Sequence, residues 1–227
     1  MSAIREGHAL GAQAARLGTR SERGALGRVR GLLFALGVYS LAGGVAIAAS
    51  VALDRNPFAC DGWLGARGVA GLLLSLGLGV LVGAMTLLST RVLVRRFRWA
   101  RALHHALRPA VHGAGDAGLW LVAVASATGE ELLFRGLLVP LLGVVVSSIV
   151  FGALHQIRGR ARWGWMGWAT VMGLVFGGVF AATGSLAGPL VAHAAINLHN
   201  LRFLRDNDPR PRRSLGGLLK RPARPPG

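Results

Sequence analysis

The chain is organised around the stretch ATGEELLFRG, residues 127–136, which places two carboxylates and a guanidinium in a run that is otherwise apolar from residue 117 to 139. Each charge at the centre of a membrane helix costs at least about 2.5–3.5 kcal/mol, so ionisable groups at that depth indicate a functional site. On a helix, Glu131 and Arg135 have the i,i+4 spacing and the order that favour an ion pair. Glu130 points about 100° away from Glu131. We therefore predict one structural carboxylate and one that is free to do chemistry.

Composition places the chain among membrane proteins. Of its 227 residues 52% are hydrophobic and only 15% are charged, whereas a soluble domain carries about 25% charged residues. The net charge of +17 comes from arginines that lie between apolar blocks, as expected for contact with anionic lipid. No nucleic-acid reading motif accompanies this charge, so we expect membrane lipids and no nucleic acid as partners. With a single cysteine, Cys60, no intrachain disulfide or cysteine-based metal site can form.

The apolar runs predict an all-α fold, a polytopic membrane helix bundle of about six transmembrane helices plus a basic interfacial segment. A basic cytoplasmic N-terminal tail (1–30) precedes the transmembrane domain (31–204), and a disordered basic C-terminal tail (205–227) follows it. The predicted spans are 31–53, 68–90, 117–139, 141–156, 164–182 and 186–204.

Several local signals refine this topology. Pro140 predicts a turn or kink between the third and fourth spans, and Gly79-x-x-x-Gly83 in the second allows helix backbones to approach closely in lipid. Residues 91–116 interleave arginines with apolar residues and predict a basic amphipathic segment at the membrane surface. The histidines expected there as solvated interfacial residues are His104, His105 and His112.

The distribution of basic residues predicts the orientation. Of the 26 lysines and arginines, only Arg55 and Arg67 fall on the side opposite the N-terminus, and Arg135 lies inside a span. By the positive-inside rule both termini are cytoplasmic. We expect an integral protein of a bacterial inner, cytoplasmic membrane.

Other polar side chains fall at a depth similar to that of Glu130. At about 1.5 Å per residue, Glu130 lies about 14 Å, His193 about 10 Å and Asn197 about 16 Å from the outer ends of their spans. His155 comes out at about 21 Å, which requires a tilt or a later helix start. His193 and Asn197 share one helix face. A carboxylate that activates water, histidines, and an amide that stabilises an oxyanion suit hydrolysis of an amide bond.

Three motifs carry a resemblance to a known family. In order and spacing they are Glu130-Glu131-x-x-x-Arg135, Phe151-x-x-x-His155 and His193-x-x-x-Asn197. They resemble the three motifs of the CPBP family, the CAAX protease and bacteriocin-processing family of intramembrane endopeptidases, also called Abi. The resemblance covers about residues 117–201, and the first two spans match only in general character.

The resemblance implies a glutamate-dependent endopeptidase that acts on a membrane-associated peptide or protein tail. Glu130 would activate water and His155 would help to hold it. His193 and Asn197 would stabilise the oxyanion. The residues implied to support the site are Glu131 and Arg135.

Other interpretations remain open at this stage. Two histidines and a glutamate could bind zinc, but asparagine is a poor zinc ligand, so we predict no cofactor and keep zinc as the alternative. The chain could be a noncatalytic immunity or assembly protein with the same fold, or a proton-coupled transporter. Some residues have structural interpretations: a helix-stabilising ion pair for Glu131 with Arg135, packing for Phe151, and interfacial positions for His199 and Asn200.

Overall fold

The computed structural model describes the backbone of residues 2–159 and 161–208, and side chains from residue 24 onward except at 25, 28 and 160. Within these residues the chain forms seven α-helices and a π-helix. In chain order they are α1 (Ser2–Ala52), α2 (Gly68–Arg96), α3 (Arg98–Val111), α4 (Asp116–Glu131), the π-helix (Leu132–Leu138), α5 (Val139–Leu154), α6 (Arg162–Thr183) and α7 (Ala187–Asp206). Most of the predicted C-terminal tail, from residue 209, lies outside the described residues.

The helices form a membrane bundle, as predicted. Among the described residues four helical segments are long and apolar enough to cross a membrane: 29–52, 68–96, 116–154 and 162–183. Large apolar side chains such as Leu33, Phe34 and Leu88 are exposed on the outside, where lipid rather than water would cover them. The predicted sixth span is present as α7, but it carries several polar residues and is not among these four. The number of spans therefore stays a prediction.

The segment 116–154 folds back on itself at Gly143, so the turn expected at Pro140 is three residues too early. Gly143 has φ 79° and ψ 166°, a conformation that is essentially restricted to glycine. Ser147 Oγ donates a hydrogen bond to the Phe134 carbonyl at 3.1 Å, although a straight helix would separate these residues by about 20 Å. Pro140 instead lies at the start of α5, where its missing N–H is tolerated.

Helices α2 and α7 cross with their backbones in contact. A Cβ on Gly79 would lie 2.8 Å from Gly188 Cα, whereas a Cβ on Gly83 would make ordinary contact with Ala192 at 3.8 Å. Ser75 Oγ accepts a hydrogen bond from the Gly188 N–H at 3.0 Å and thus satisfies a donor in the first turn of α7. The crossing fixes α7, which carries two of the predicted site residues, against the bundle.

This crossing predicts that alanine substitutions at the two glycines of the Gly-x-x-x-Gly motif change the stability of the protein differently. Gly79→Ala should destabilise the protein by about 1–3 kcal/mol, because the added methyl group forces two backbones apart. Gly83→Ala, the matched control, should be neutral or slightly stabilising, because the methyl group has room and alanine favours a helix. Thermal unfolding in detergent measures both, and equal shifts for the two variants would show that the crossing is not close-packed.

Helix α3 is the predicted amphipathic segment, but His104 on it is not solvated. The side chain is buried, and its Nε2–H donates to the Asn207 carbonyl at the end of α7 over 2.9 Å. Arg108 Nε donates to the same carbonyl at 3.1 Å. The expectation for His104 was wrong, because its partner lies 103 residues away in the sequence. His105 is half-buried and His112 is exposed.

The buried position of His104 predicts a loss of stability in acid. Burial lowers the pKa of His104 below 6.5, so on acidification the unfolded chain takes up its proton first. The stabilisation is present above about pH 6.5 and is lost as the pH falls towards the folded-state pKa, by at most about 1.4 kcal/mol per pH unit. His104→Gln keeps an N–H donor but does not titrate. Between pH 7.5 and 5.5 its unfolding temperature should fall less than that of the wild type; an equal fall would contradict the assignment.

Candidate active site

The two glutamates end α4, and the π-helix that follows carries Arg135. Glu131 is 0% exposed and Arg135 1% exposed, and Arg135 Nη1 lies 3.0 Å from Glu131 Oε1. The i,i+4 pair predicted from the sequence is therefore present in the structure, in the interior of the protein. Glu130 on the neighbouring side of the helix is 16% exposed. One carboxylate is thus fully buried and the other reaches a cavity.

Aromatic rings surround the Arg135 guanidinium. Its Cζ lies 4.6 Å from the centre of the Phe151 ring and 5.3 Å from that of Phe176, within the range of cation–π attraction. Within the described part of the chain, neither Nη nitrogen of Arg135 nor Oε2 of Glu131 has a hydrogen-bond partner of good geometry. The charge is thus compensated by one carboxylate and two rings. Phe151, expected as packing, also contacts charge.

His193 on α7 lies between the two glutamates. Its Nδ1 is 2.7 Å from Glu131 Oε1, and its Nε2 is 3.6 Å from Glu130 Oε2. Because an ionised carboxylate can only accept, Nδ1 carries the hydrogen and Nε2 faces Glu130. The sequence predicted Glu131 as a partner of Arg135 alone. The structure adds that the same oxygen orients His193.

The formal charges of this cluster do not cancel. With both carboxylates ionised and His193 neutral, Arg135 leaves one negative charge uncompensated. The uncompensated charge is that of Glu130, the carboxylate that reaches the cavity.

Asn197 lies one turn beyond His193 on α7. Its Nδ2 donates to Ser126 Oγ at 2.9 Å, and Ser126 Oγ in turn donates to the Ala123 carbonyl on α4 at 3.2 Å. One amide hydrogen of Asn197 is held by this contact, and the second is free for a ligand. Ser126 could not be identified from the sequence, because a serine on an apolar helix usually bonds its own backbone.

His155 stands immediately after the end of α5. Its Nδ1 donates to the Phe151 carbonyl at 2.7 Å, which leaves Nε2 as an acceptor. The Trp165 ring of α6 packs edge-on against it at 5.4 Å between centroids. The depth of about 21 Å expected for His155 was counted from residue 141. The part of α5 that leads to His155 begins only after Gly143, so this count was too large.

A cavity of about 660 Å³ connects these residues. Glu130, His155, His193 and Asn197 all line it, whereas Glu131 and Arg135 do not. The wall also includes side chains that the sequence analysis assigned elsewhere or did not single out as site residues: Tyr39 of α1, Arg91 of α2 and Asn200 of α7. Asn200 was expected at the interface. His199 is exposed, and its Nδ1 bonds the Ala195 carbonyl of its own helix.

The donor set gives little support to a metal centre. Among the described residues no group of three or more His, Cys, Asp or Glu side chains could hold a metal ion. Nδ1 of His193 is already engaged by Glu131. The absence of a cofactor stays a prediction.

Comparison with known proteins agrees with the motifs. Residues 117–199 match the family described as "Type II CAAX prenyl endopeptidase Rce1-like", which confirms the resemblance to CAAX proteases over this segment. The chain is 35% identical over 71 residues to a Bacillus subtilis (strain 168) protein named "Uncharacterized protein YpbD". The matched stretch is 31% of this chain and 37% of that protein. No solved structure matches the chain.

The buried position of Arg135 predicts a large cost for removing its charge. Arg135→Met should destabilise the protein by about 3–5 kcal/mol, because Glu131 is left buried beside His193 without its cation. The matched control is Arg67→Met, which breaks the Arg67–Asp61 pair in a loop where both side chains are more than 80% exposed; it should have little effect. Detergent unfolding compares the two. A small shift for Arg135→Met would contradict the structural role of the ion pair.

Proposed function

We propose that the protein is an intramembrane endopeptidase that hydrolyses a peptide bond of a membrane-associated peptide or protein tail by water activated at Glu130. The observation that carries the proposal is the contact of Glu130 with His193, which Glu131 orients from behind. This places a partly exposed carboxylate and an imidazole on the wall of one cavity. The match of residues 117–199 to a family of endopeptidases supports the same reaction class.

In this proposal Glu130 is the general base. Its carboxylate takes a proton from a water molecule while the water oxygen attacks the carbonyl carbon of the scissile bond. The same proton then passes to the leaving amine nitrogen as the C–N bond breaks. His155 would hold the water through its free Nε2, because its Nδ1 is occupied by the Phe151 carbonyl. Glu130 returns to its ionised form, so it is not consumed.

Two donors would stabilise the tetrahedral oxyanion. Asn197 has one amide hydrogen left after its bond to Ser126. His193 can donate from Nε2 when both of its ring nitrogens carry a proton, since Glu131 engages only Nδ1. Each such donor typically lowers the activation free energy by about 2.7–4 kcal/mol. Arg135 contributes indirectly, as the cation that pairs with Glu131.

We further propose an inner-membrane location with both termini in the cytoplasm. Loop 53–67 with Arg55 and Arg67 packs on the turn between α6 and α7: Cys60 N–H donates to the Gly184 carbonyl at 2.9 Å. The arginine-rich α3 packs at the other end, on the C-terminus of α7. The basic end of the bundle would face the cytoplasm. Substrates would reach the cavity from the membrane or from that side.

The proposal predicts that Glu130→Gln abolishes processing. Glutamine keeps the size and hydrogen bonding of the side chain but cannot act as the base, so cleavage should fall by at least about 100-fold. Proteomics of membranes and secreted fractions compares cells that carry the wild type, Glu130→Gln or a deletion. The same precursor should accumulate uncut in the variant and in the deletion strain, and its identity would name the substrate.

The matched control is Asp61→Asn, an acid-to-amide change at a side chain that is 94% exposed, which should process normally. If Glu130→Gln is expressed and folded yet cleaves everything that the wild type cleaves, the peptidase proposal is wrong and the noncatalytic alternative replaces it. Cleavage of the accumulated precursor by isolated membranes, with and without a chelator, tests the zinc alternative separately.

A further inference from the structure

A second polar cluster lies on the wall of the same cavity, away from the glutamates. Arg91 Nη1 donates to Asn200 Oδ1 at 3.0 Å, and its Nη2 donates to the His199 carbonyl at 3.2 Å. The Arg91 guanidinium stacks on the Phe203 ring with Cζ 3.8 Å from the ring centre. Thr90 Oγ1 also contacts Asn200 Oδ1, at 3.3 Å. Two helices thus hold one half-buried cation in a fixed orientation.

These contacts leave donors free. Asn200 Oδ1 accepts from Arg91 and from Thr90, so the amide nitrogen of Asn200 points away from both. Among the side chains that the structure describes, none forms a hydrogen bond with Asn200 Nδ2 or Arg91 Nε. Both residues line the cavity. A guanidinium and an amide with free N–H groups on one wall form a site for an anion.

The cluster has a defined position relative to the reacting groups. His193, Asn197 and Asn200 follow an i, i+4, i+7 spacing, which places them on one face of α7. Asn200 lies about 10 Å along the helix axis from His193. Apolar side chains, including Leu201 and Leu204, complete the wall at this end of the cavity. One extended peptide can therefore contact both clusters.

We propose that Arg91 and Asn200 bind a carboxylate, and that its natural source is the free α-carboxylate of the peptide whose scissile bond lies at Glu130. This inference rests on the proposed peptidase function. The planar guanidinium suits a carboxylate better than an ammonium would. A lipid phosphate is less suited to this site, because it can bind Arg95, Arg96 and Arg98, which are exposed outside the cavity. Arg91 would thus select chains by their C-terminus.

A binding experiment tests this without any cleavage. Glu130→Gln protein in detergent is equilibrated by dialysis against a pool of N-acetylated apolar hexapeptides, each present as the free acid and as the C-terminal amide. Mass spectrometry measures the ratio of acid to amide retained for each sequence. We expect at least about a tenfold excess of acid, as befits charge-assisted hydrogen bonds. Equal retention of the two forms overturns the proposal.

Three further variants in the Glu130→Gln background assign the effect. Arg91→Gln should bring the ratio to about one, and Arg96→Gln, the matched control at an exposed position outside the cavity, should leave it unchanged. Asn200→Asp keeps the acceptor for Arg91 but adds a negative charge, so it should also abolish the preference. If Arg91→Gln does not fold, Asn200→Asp tests the assignment of the carboxylate site in its place. An acid preference that survives both Arg91→Gln and Asn200→Asp overturns the assignment.

A lipid arm separates the two sources of an anion. The same dialysis is repeated in micelles that contain phosphatidylglycerol or phosphatidylcholine. If Arg91→Gln removes retention of phosphatidylglycerol while the peptide ratio is one throughout, the site binds lipid head groups and the proposal is overturned. Because no bond is cut, failure here leaves the Glu130→Gln processing experiment unaffected, and each proposal can fail alone.

Discussion

The contact that joins Arg135, Glu131 and His193 is the interaction on which the candidate site depends. Glu131 is fully buried, and a carboxylate in that position is tolerated only because a guanidinium lies 3.0 Å away and an imidazole N–H 2.7 Å away. The contact also joins α4 and the π-helix to α7, which are far apart in sequence. Its geometry directs His193 Nε2 towards Glu130. The stability of the interior and the orientation of the site are thus set by the same three side chains.

The helix packing around this contact is determined by small residues. Gly79 and Gly188 let α2 and α7 touch, and Ser75 completes the hydrogen bonding of the first turn of α7. Gly143 reverses the chain so that Phe151 packs against Arg135, and His155 packs on the Phe151 ring. A methyl group at the crossing, or a side chain at the reversal, would move functional groups that it never touches. In lipid such close packing replaces the hydrophobic effect as the source of helix association.

Much of the site could be predicted because its residues are chemically unusual for their surroundings. Charged and polar groups in apolar helices are few, so Glu130, Glu131, Arg135 and the polar face of α7 stand out in the sequence. Ser126, Tyr39 and Arg91 did not stand out as site residues, since serine, tyrosine and a terminal arginine are ordinary residues in membrane helices. His104 was misassigned for the opposite reason. Its segment looks interfacial, and only the end of α7 buries it.

By itself the sequence determined the helical class, the apolar spans and the spacing of the polar motifs, because these depend on composition and on the period of the α-helix. Tertiary structure decided which groups meet: His193 with both glutamates, Asn197 with Ser126, and Arg91 with Asn200. It also decided that the reversal falls at Gly143 rather than Pro140. Each of these depends on how distant helices pack, and helix period alone carries no information about distant partners.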